Sequence, residues 1–345
     1  MQLIPRFSTG GAERLVLVFA EYFQARGFKV AVASVVGGGE LAQQFRNLGA
    51  EVLVAEKNSY FNLFKNYKKL KEFKRNFKPD IIHTHVFSAD VVGYLLRGGG
   101  RWLSTQHNVG AEHSWFRKLV LRFILRRAEK VVAVSPTVAD FCARDLRLPA
   151  EKIVLIKNGI DIEKWLTLPA VNLSGKRELQ LATIGRLEKQ KGHIYLLRAL
   201  AEVKNLSWHL QIYGAGSLEK KLKQRVRQLE IAEKITWHGV QSNMPEELKN
   251  IDIVIQPSLL EGRSLVVMEA LAAGRLVIAS PAAGEDLLED KITGMIASPQ
   301  ELVRVLPGVF EHPKEAWKIA EAGRNYAKEN FGIANNFAAL EKLYA

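Results

Sequence analysis

Two glutamates, Glu261 and Glu269, stand eight positions apart in the run EGRSLVVME, which follows a short apolar stretch ending near Gln256. If Ser264 caps a helix, the first glutamate lies in the loop before that helix and the second lies in its second turn. The unpaired amides near Ser264 and Leu265, with the positive end of the helix dipole, suit a phosphate group. The spacing therefore predicts an anion site between two carboxylates, although it also fits a capped amphipathic helix with two solvated glutamates.

A glycine pair, Gly10 and Gly11, precedes the helical pattern that begins near Ala12. Glycine has no side chain to obstruct a ligand, so this loop allows close backbone approach at a helix N-terminus. The pair predicts a second anion-binding loop. A plain tight turn is the alternative, and two glycines fit it equally well.

Three histidines lie at or near the ends of two short apolar runs. His83 and His85 alternate in IIHTH and so share one face of the expected strand, and His107 follows the run WLSTQ. Parallel sheets bind ligands at the carboxyl ends of their strands, where we expect His107 and, of the alternating pair, His85. A hydrogen-bonded structural histidine is the alternative at each position. No metal site is expected, because no Cys or carboxylate completes a zinc ligand set at a usual spacing.

The elements that must position these residues alternate between short β-type runs and longer helical segments, which predicts parallel sheets covered by helices. The pattern runs through residues 1–160, loses its period over 161–176 and restarts over 177–328. We therefore predict an α/β protein of two doubly wound, Rossmann-like domains that face a central cleft, with residues 161–176 as linker. A last helix, 329–345, is expected to pack back on the N-terminal domain. The predicted strands are 29–35, 51–54, 80–84, 102–105, 130–134, 152–156, 179–184, 209–212, 234–237, 252–256 and 276–279.

Length and composition agree with two ordinary globular domains. The chain has 345 residues, of which 48% are hydrophobic and 25% are charged, enough apolar material for a core in each half. This composition excludes disordered and coiled-coil classes. The single cysteine, Cys142, cannot form an internal disulfide, and the first residues show no secretory pattern, so a cytoplasmic protein is expected. No apolar run approaches the ~20 residues of a spanning helix.

The net charge of +13 is concentrated in the first half of the chain. Residues 1–165 contain 26 Lys and Arg against 15 Asp and Glu, whereas residues 166–345 contain 23 against 21. Two segments, 57–78 and 115–130, combine basic and aromatic residues at helical spacing. Such helices bind anionic lipid surfaces, with about 1 kcal/mol for each cation near the surface; ordinary domain helices with solvated basic faces are the alternative. We expect peripheral attachment to the anionic inner face of the cell membrane.

The run PSLLEGRSLVVMEALAAGRLVIAS resembles the donor-binding signature of the retaining glycosyltransferases of family 4, which have the GT-B fold. Four further segments are similar to motifs of that family and occur in its order. They are GGAERLVLVFAEYFQARGFKVAV, IKNGIDIEKW, IGRLEKQKGHIYLLRAL and IYGAGSLEKKL. Together these motifs cover nearly the whole chain, and several motifs in order are more specific than any one of them.

The resemblance implies a role for each matching residue. Glu261 would contact hydroxyls of the donor sugar, and Glu269 would hold the ribose of the nucleotide. Arg186 and Lys191 would bind the diphosphate, where fixed cations also offset the charge of the leaving group without a metal. His107 would position the reactive end of the donor. The implied catalytic residues are His107, Arg186, Lys191 and Glu261; the implied donor-binding residues are Gly10, Gly11, Gly185, Gly214, Gly262, Arg263, Ser264, Leu265 and Glu269, with His85 as a candidate at the cleft.

Three positions depart from the family pattern. Arg263 stands where a bulky apolar residue is common, and Arg275 replaces a frequent proline. Counting back from Gly294 puts Asp286 where the family usually has glutamate, which leaves the role of that loop open. Arg263 either contributes to donor choice or faces solvent.

The resemblance implies an enzyme that moves a hexose from a UDP- or GDP-sugar to a hydroxyl of a lipid-linked or cell-surface glycan, with retention of configuration. No cofactor and no metal are expected, because Arg186 and Lys191 would neutralise the leaving group. Two alternatives stay open: a nucleotide-sugar epimerase of the same fold, which needs no acceptor, and a nucleic-acid-binding protein whose basic half contacts phosphates. The nearly neutral second half, and the lack of a helix-turn-helix, RNP or zinc pattern, count against nucleic acid as a partner.

Overall fold

The computed structural model describes residues 1–8, 10–56, 60–110, 114–173 and 178–345. These residues form two compact units. The first unit contains residues 1–157 together with 335–345, and the second contains residues 158–334. Each unit has its own parallel sheet with helices packed against it. The prediction of two Rossmann-like α/β domains is therefore confirmed.

The described residues of the first unit form a sheet of seven parallel strands and the helices that cover it. The strands are β1 (Gln2–Arg6), β2 (Ala31–Gly37), β3 (Glu51–Leu53), β4 (Ile81–His85), β5 (Arg101–Gln106), β6 (Lys130–Ala133) and β7 (Ile153–Leu155). The helices are α1 (Gly11–Ala25), α2 (Leu41–Asn47), α3 (Tyr60–Phe77), α4 (Phe87–Leu96), α5 (Trp115–Leu125) and α6 (Pro136–Asp140), which continues as a π-helical turn over Phe141–Asp145.

The strand order of this sheet is β3-β2-β1-β4-β5-β6-β7. The direction of winding reverses between β1 and β4, and at such a point the loops leaving neighbouring strands diverge and open a crevice at the carboxyl edge. Gly10 lies in the segment after β1, His85 ends β4, and His107 follows β5 directly. The topology thus brings three of the predicted site positions to the same edge of one sheet.

The sequence pattern missed β1, the central strand of this sheet. Its run QLIPR is short and contains Pro5, which lacks the N–H that a central strand donates. The sheet accommodates the proline because the pairing of β1 with β2 shifts register between Ile4 and Arg6. Leu3 is fully buried, and Gln2 pairs with β4. The stabilisation from burying its apolar residues therefore outweighs the loss of the hydrogen bond that Pro5 cannot donate.

The described residues of the second unit form a sheet of six parallel strands. The strands are β8 (Leu179–Ile184), β9 (Trp208–Tyr213), β10 (Ile235–Gly239), β11 (Ile253–Gln256), β12 (Leu276–Ala279) and β13 (Met295–Ile296). The helices are α7 (Ile162–Leu166), α8 (His193–Glu202), α9 (Glu219–Gln228), α10 (Met244–Leu248), α11 (Leu265–Ala272), α12 (Pro281–Gly284), α13 (Leu302–Glu311) and α14 (Pro313–Asn330). The strand order is β10-β9-β8-β11-β12-β13, so the direction reverses between β8 and β11.

The segment interpreted as a linker belongs to the second unit as far as it is described, over residues 161–173. It contains α7, in which Trp165 is buried against the core of that unit. Arg275, one of the departures from the family pattern, is itself buried and holds the segment in place through hydrogen bonds. Its guanidinium donates to the carbonyl oxygens of Pro169 at 2.6 Å and Ile251 at 3.0 Å. Buried apolar side chains and these hydrogen bonds therefore hold the segment against the sheet, although its sequence has no clear period.

The last helix, α15 (Ala334–Tyr344), supplies residues to the first unit. The ring of Phe337 packs against those of Phe19 and Tyr22 of α1, with centroids 5.2 and 4.2 Å apart. Arg101 of β5 donates to the carbonyl oxygen of Tyr344 at 2.9 Å. Aromatic packing and this hydrogen bond hold α15 on the first unit, and they bring Tyr344 close to the ends of β1 and β4.

Candidate active site

Three loops crowd together at the carboxyl edge of the second sheet. A Cβ on Gly214, after β9, would lie 2.0 Å from the carbonyl oxygen of Gly185, after β8. A Cβ on Gly192 would lie 2.0 Å from the carbonyl oxygen of Pro257, after β11, and Gly192 has a φ of +68°. Only glycine meets both constraints at that position. Backbone packing therefore fixes the loop that carries Lys191.

Lys191 and Glu261, two of the predicted site residues, meet in this region. The Lys191 ammonium group donates a hydrogen bond to Glu261 Oε1 across 70 positions of sequence. Ser258 Oγ donates to the same oxygen at 2.8 Å. Both charged side chains are largely buried, with exposed fractions of 15% for Lys191 and 11% for Glu261. Each charge compensates the other, because a single unpaired charge at this depth would be costly.

The helix α11 begins at Leu265, four residues after Glu261, as the spacing of the two glutamates predicted. Ser264 caps it: its hydroxyl accepts a hydrogen bond from the amide of Val267 at 3.5 Å. Glu269 lies in the second turn and is half-buried. The amides of Leu265 and the residue after it have no partner within the helix. This end of α11 therefore presents amide donors and a positive dipole in the loop that holds Glu261.

The remaining predicted donor residues of the second unit lie in the loops around this pair or at the start of α11. Gly185 directly follows β8, and a Cβ there would lie 3.5 Å from Cε of Lys191. Arg186 follows in the same loop and is exposed, while Gly262 lies in the loop before α11. The structure thus brings Lys191 and Glu261 into direct contact and places the other positions near the same edge of the sheet.

The structure corrects one interpretation of Arg263. Its side chain is only 4% exposed, so the interpretation that it faces solvent is wrong. The guanidinium forms an ion pair with Asp286, and its Nε donates to the carbonyl oxygen of Asn158 at 3.0 Å. Phe331 lies 5.8 Å from it, with the ring facing the cation. Two departures from the family pattern, Arg263 and Asp286, are therefore partners.

Sequence reasoning missed two polar side chains that line the same edge. Ser258 orients Glu261, and its own carbonyl oxygen accepts a hydrogen bond from Ser280 Oγ. Gln256 ends β11; its Nε2 donates to Ser258 Oγ at 3.4 Å, whereas its Oε1 is buried with no hydrogen-bond partner among the described residues. A polar residue at the carboxyl end of an apolar strand is the signal that could have identified Gln256, since ligands bind at that edge.

In the first unit, the glycine pair begins α1 as expected. Gly10 is the N-cap and has an ordinary extended backbone, and Gly11 is the first helical residue. A Cβ on Gly10 would lie 2.4 Å from a carboxylate oxygen of Glu13. Ser8 Oγ also donates to Glu13 at 3.3 Å. A carboxylate thus occupies the helix N-terminus in this structure, where an anion would otherwise bind.

The histidines of the first unit are in direct contact with one another. His85 Nδ1 lies 3.0 Å from His107 Nε2, and His85 Nε2 lies 2.8 Å from Gln2 Oε1. His83, which faces the same side of β4, stacks on His85 with ring centroids 4.5 Å apart. Gln2 was missed by sequence reasoning together with its strand β1. The structure therefore joins the two predicted histidines, His85 and His107, in one hydrogen-bonded group.

Burial makes this histidine group electrically neutral. It lowers the pKa of His107 to about 4 and that of His83 to about 3, and it lowers the pKa of His85 well below its ordinary value. Since the charged imidazolium loses hydration in the interior, the neutral rings dominate at pH 7. Within the described part of the chain, no three or more His, Cys, Asp and Glu side chains are arranged to hold a metal ion.

Comparison with known proteins identifies the family of the chain. Residues 9–164 match the family described as Glycosyltransferase Family 4, and residues 167–326 match Glycosyl transferases group 1. One curated relative is a UDP-Gal:alpha-D-GlcNAc-diphosphoundecaprenol alpha-1,3-galactosyltransferase of Escherichia coli, 27% identical over 85% of this chain and 80% of its own length.

Solved structures of glycosyltransferases share the fold. HepE of Anabaena, crystallised in complex with UDP-glucose, is similar with a TM-score of 0.86 at 21% identity, over 100% of this chain and 99% of that one. WaaG, a glycosyltransferase involved in lipopolysaccharide biosynthesis, is similar with a TM-score of 0.77 at 16% identity, over 99% of each chain. The chain therefore belongs to glycosyltransferase family 4, and its two Rossmann-like domains are those of the GT-B fold.

Proposed function

We propose that this glycosyltransferase moves a hexose from a UDP-sugar to a hydroxyl of a lipid-linked or cell-surface glycan, with retention of configuration at the anomeric carbon. The observation that carries the proposal is the buried pair of Lys191 and Glu261 close to the N-terminus of α11. A cation, a carboxylate and unpaired helix amides match a donor that has a diphosphate and a hydroxylated sugar.

In this proposal Lys191 and the first amides of α11 bind the diphosphate, and the exposed Arg186 is a second cation. The leaving nucleoside diphosphate gains negative charge as the glycosidic bond breaks. Fixed cations stabilise that charge more strongly in the transition state than in the ground state, which lowers the barrier. Before the donor binds, Glu261 holds Lys191 in the site.

Glu261 and Glu269 bind the two sugars of the donor. When the diphosphate takes Lys191 as its partner, Glu261 becomes available to accept hydrogen bonds from hydroxyls of the transferred hexose. Ser258 continues to hold the carboxylate in place. Glu269, in the second turn of α11, binds the ribose hydroxyls. Hydrogen bonds from hydroxyls to carboxylates are charge-assisted and therefore among the stronger ones.

His107 contributes an uncharged ring that binds a hydroxyl of the transferred sugar. Its pKa of about 4 keeps it neutral at pH 7. Positive charge develops at the anomeric carbon during glycosyl transfer. A neutral histidine can accept a hydrogen bond there without repelling that charge.

The relatives support UDP as the nucleotide and a lipid-linked acceptor. The Escherichia coli relative is named for a UDP-galactose donor and an acceptor carried on diphosphoundecaprenol, and HepE was crystallised with UDP-glucose. A phosphorylated lipid acceptor also fits the basic first half of this chain. We therefore place UDP-hexoses before GDP-hexoses as candidate donors.

The acceptor side of the proposal includes attachment to an anionic membrane surface through α5. Trp115, Phe116, Leu119 and Phe123 form an apolar row on this helix with exposed fractions of 74%, 62%, 49% and 54%. Arg122, Arg126 and Arg127 flank the row, and the guanidinium of Arg127 lies 3.9 Å from the centroid of the Phe123 ring. Exposed aromatics bordered by arginines suit the interface of an anionic bilayer.

The helix α3, from the other basic segment, shares this character at Phe64, which is 66% exposed and has the Lys68 ammonium 4.6 Å from its ring centroid. Residues 57–59 of that segment lie outside the described residues. No described helix combines the length and apolar composition needed to cross a bilayer. The proposed attachment therefore rests on surface helices.

A donor and acceptor screen tests the reaction. The purified chain is incubated with UDP-glucose, UDP-galactose, UDP-N-acetylglucosamine or GDP-mannose, with or without an N-acetylglucosamine linked to a polyprenyl diphosphate. We expect UDP release to depend on the acceptor, and the reaction rate to be the same with and without EDTA. NMR should show an α-linked product. Conversion of a nucleotide sugar without acceptor would instead identify an epimerase. Salt-dependent binding of generic oligonucleotides, with no turnover, would favour the nucleic-acid alternative.

Vesicle co-sedimentation tests the membrane surface. The wild-type chain is expected to bind vesicles with anionic lipid and to bind neutral vesicles poorly. The double variant Phe116→Ser/Phe123→Ser should lose most of this binding, because burial of each large apolar side chain contributes about 1.5–3 kcal/mol. Ile292→Ser, which changes an equally exposed apolar residue of the second unit, is the control. Equal recovery of wild type and α5 variant would exclude the α5 surface.

A further inference from the structure

A chain of hydrogen bonds joins His107 to the C-terminal helix within the first unit. His107 Nε2 lies 3.0 Å from His85 Nδ1, and His85 Nε2 lies 2.8 Å from Gln2 Oε1. The side-chain amide of Gln2 donates to the hydroxyl of Tyr344 at 2.9 Å. That hydroxyl lies 2.6 Å from His83 Nδ1. Two sequence positions 342 apart, Gln2 and Tyr344, are thus linked to the histidine that we propose contacts the sugar.

Most of the chain of hydrogen bonds is shielded from water, whereas His107 and Tyr344 are half-buried. Gln2, His83 and His85 are buried, and the chain ends at Thr105, whose buried hydroxyl lies 2.7 Å from His83 Nε2. Buried polar groups that share partners in this way must keep their donors and acceptors matched, since a buried group without a partner is destabilising. Whether a group in the chain carries the proton therefore depends on whether the next group donates or accepts.

The proton positions follow from Gln2. An amide oxygen only accepts, so His85 Nε2 must carry its proton. A neutral His85 then has a bare Nδ1, which can only accept from His107 Nε2. His107 in turn is protonated at Nε2 and bare at Nδ1. At the other end, the Tyr344 hydroxyl accepts from Gln2 and so donates its proton to His83 Nδ1.

The Gln2 amide sets the direction of every hydrogen bond in the chain, because its oxygen faces His85 and its nitrogen faces the hydroxyl of Tyr344. If the amide were reversed, every proton in the chain would move to the opposite partner, and His107 would carry its proton on Nδ1. That second arrangement also satisfies all the groups, so the chain has two self-consistent polarities. Without the hydroxyl of Tyr344 the amide nitrogen of Gln2 loses its acceptor, so the observed orientation keeps only the hydrogen bond to His85.

We propose that Gln2 and Tyr344 are positioning residues that fix the tautomer of His107, so that its Nδ1 presents a lone pair to a hydroxyl of the donor sugar. This inference rests on the proposed function for the role of the tautomer, but the tautomer itself is a property of the protein without ligand. A histidine with the opposite tautomer presents an N–H and would compete for the hydroxyl oxygen instead of its proton.

Nitrogen NMR of the protein labelled with ¹⁵N-histidine tests the tautomer directly, with no substrate present. We expect His107 to be protonated at Nε2 and bare at Nδ1 in the wild type. In Tyr344→Phe we expect a second tautomer of His107 to appear, and kcat to fall on the order of tenfold while the donor KM changes less than about twofold. A wild-type His107 protonated at Nδ1 would overturn the proposal, whatever the activity.

Tyr22→Phe is the matched control for this experiment. It also removes a tyrosine hydroxyl that contacts α15, where it donates to Glu341 at 3.4 Å, but Tyr22 is not part of the chain of hydrogen bonds. Both variants keep the aromatic packing on α15. If the two variants lose activity equally and neither changes the tautomer, the hydroxyl of Tyr344 has only a structural role.

Two substitutions of Gln2 separate positioning from packing. Gln2→Glu keeps an oxygen acceptor for His85 and so keeps the wild-type tautomer of His107, although it buries a charge. Gln2→Met keeps the shape but removes the acceptor. A structural role predicts that the apolar variant is tolerated better, in both stability and activity. We expect the reverse order for kcat, with Gln2→Glu at least about threefold more active than Gln2→Met; the opposite order would overturn the proposal.

The outcomes also separate this inference from the proposed function. If the tautomer is as expected but no UDP-sugar is turned over, the proposed reaction fails and the positioning of His107 stands as a property of the fold. If turnover is found and Gln2→Met has wild-type kinetics and tautomer, the reaction stands and the positioning fails. If Gln2→Glu does not fold, the Tyr344→Phe spectrum decides by itself.

Discussion

The two units place different chemistry at the same topological position. Each carries its candidate residues at the carboxyl edge of a parallel sheet, where the strand order reverses. In the second unit the edge is ionic, with Lys191 paired to Glu261 and Arg263 paired to Asp286. In the first unit it is uncharged, because His85 and His107 are neutral and hydrogen-bonded to each other.

This difference teaches how one architecture is divided between two tasks. In the function that we propose, the diphosphate requires fixed cations, and carboxylates hold those cations in the second unit before the donor binds. In the same proposal a sugar hydroxyl requires only a well-oriented acceptor or donor, which a neutral imidazole provides. The side chains at the strand ends would then make one sheet edge an anion site and the other a hydroxyl site.

The largest effect is expected from Lys191→Ala. The loss of this cation should lower kcat on the order of 10²- to 10³-fold, since it removes stabilisation of charge that develops in the transition state. Lys189→Ala, which changes an exposed lysine of the same loop, should leave kcat close to wild type. Steady-state kinetics with donor and acceptor measures both. Wild-type kinetics in Lys191→Ala would show that the ionic edge is not the donor site.

Lowering the pH should reduce the stability of the first unit before that of the second. His83 and His107 have folded pKa values of about 3 and about 4, below the 6.5 of an exposed histidine. The unfolded chain therefore binds protons first as pH falls, so this contribution to stability is complete above about pH 6.5 and is lost as pH falls towards the folded values. At 1.36 kcal/mol per pKa unit, the loss amounts to several kcal/mol at roughly pH 4.

Two other buried groups adjust this pH prediction. Burial raises the pKa of Asp90 in the first unit to about 6. Its contribution to stability is therefore present below about pH 4 and is lost as pH rises through 6. This contribution offsets part of the histidine effect. His193 in the second unit has a pKa of about 4 and acts in the same direction as the histidines of the first unit.

Hydrogen exchange at pH 7 and pH 5, corrected for intrinsic rates, should show β4 and β5 losing protection before β8 and β11. Equal loss in both sheets would contradict the comparison.

A smaller loss of stability is expected from breaking the second ion pair. Asp286→Ala leaves the buried Arg263 without its carboxylate and should lower the free energy of unfolding by about 3 kcal/mol. The double variant Arg263→Met/Asp286→Leu removes both charges and should recover most of that loss. Urea unfolding measures the stabilities, and donor preference is measured in parallel. An unchanged preferred sugar is expected; a changed one would assign this pair to donor choice.

The smallest effect is expected from Glu269→Ala. The loss of one charge-assisted hydrogen bond to the ribose should raise the donor KM about tenfold, equivalent to about 1.4 kcal/mol. The value of kcat should change less than about threefold, because the ribose is far from the bond that breaks. Glu285→Ala, at an exposed position, is the control. A large fall in kcat with unchanged KM would place Glu269 at the reacting centre instead.

Local sequence signals predicted much of the second unit. The expected strands 179–184 and 276–279 coincide with β8 and β12, because uniformly apolar runs between turn residues have few other structures open to them. The serine cap of α11 was also predicted, since it depends only on residues within one helical turn. Elements of this kind are determined by contacts close in sequence.

Elements that depend on distant packing were missed. The helix α4 contains Gly93 and two consecutive valines, which weaken its local helical pattern. Its glycine is required because a Cβ at Gly93 would lie 2.3 Å from Cγ2 of Thr84 on the neighbouring strand β4. The strand β1 was missed for a related reason, because Pro5 obscures a run that is stabilised by two neighbouring strands.

The candidate site shows the same division. Residue types and spacing made Glu261 and His107 candidates, and the resemblance to family 4 added Lys191. The partners of the candidate residues could not be predicted: Arg263, for example, pairs with Asp286 and does not face solvent. Hydrogen-bond partners come from other strands, and their identity depends on the order of strands in the sheet.

By itself, the sequence determined the alternation of strands and helices, the cap of α11 and the chemical types of the residues at the strand ends. These features follow from backbone sterics, helix capping and hydrophobic periodicity, all of which act over a few residues. Only the tertiary structure decided that Lys191 meets Glu261 and that Gln2 and Tyr344 enclose the histidines. Burial is what forces these distant polar groups to satisfy one another, and burial is a property of the folded chain as a whole.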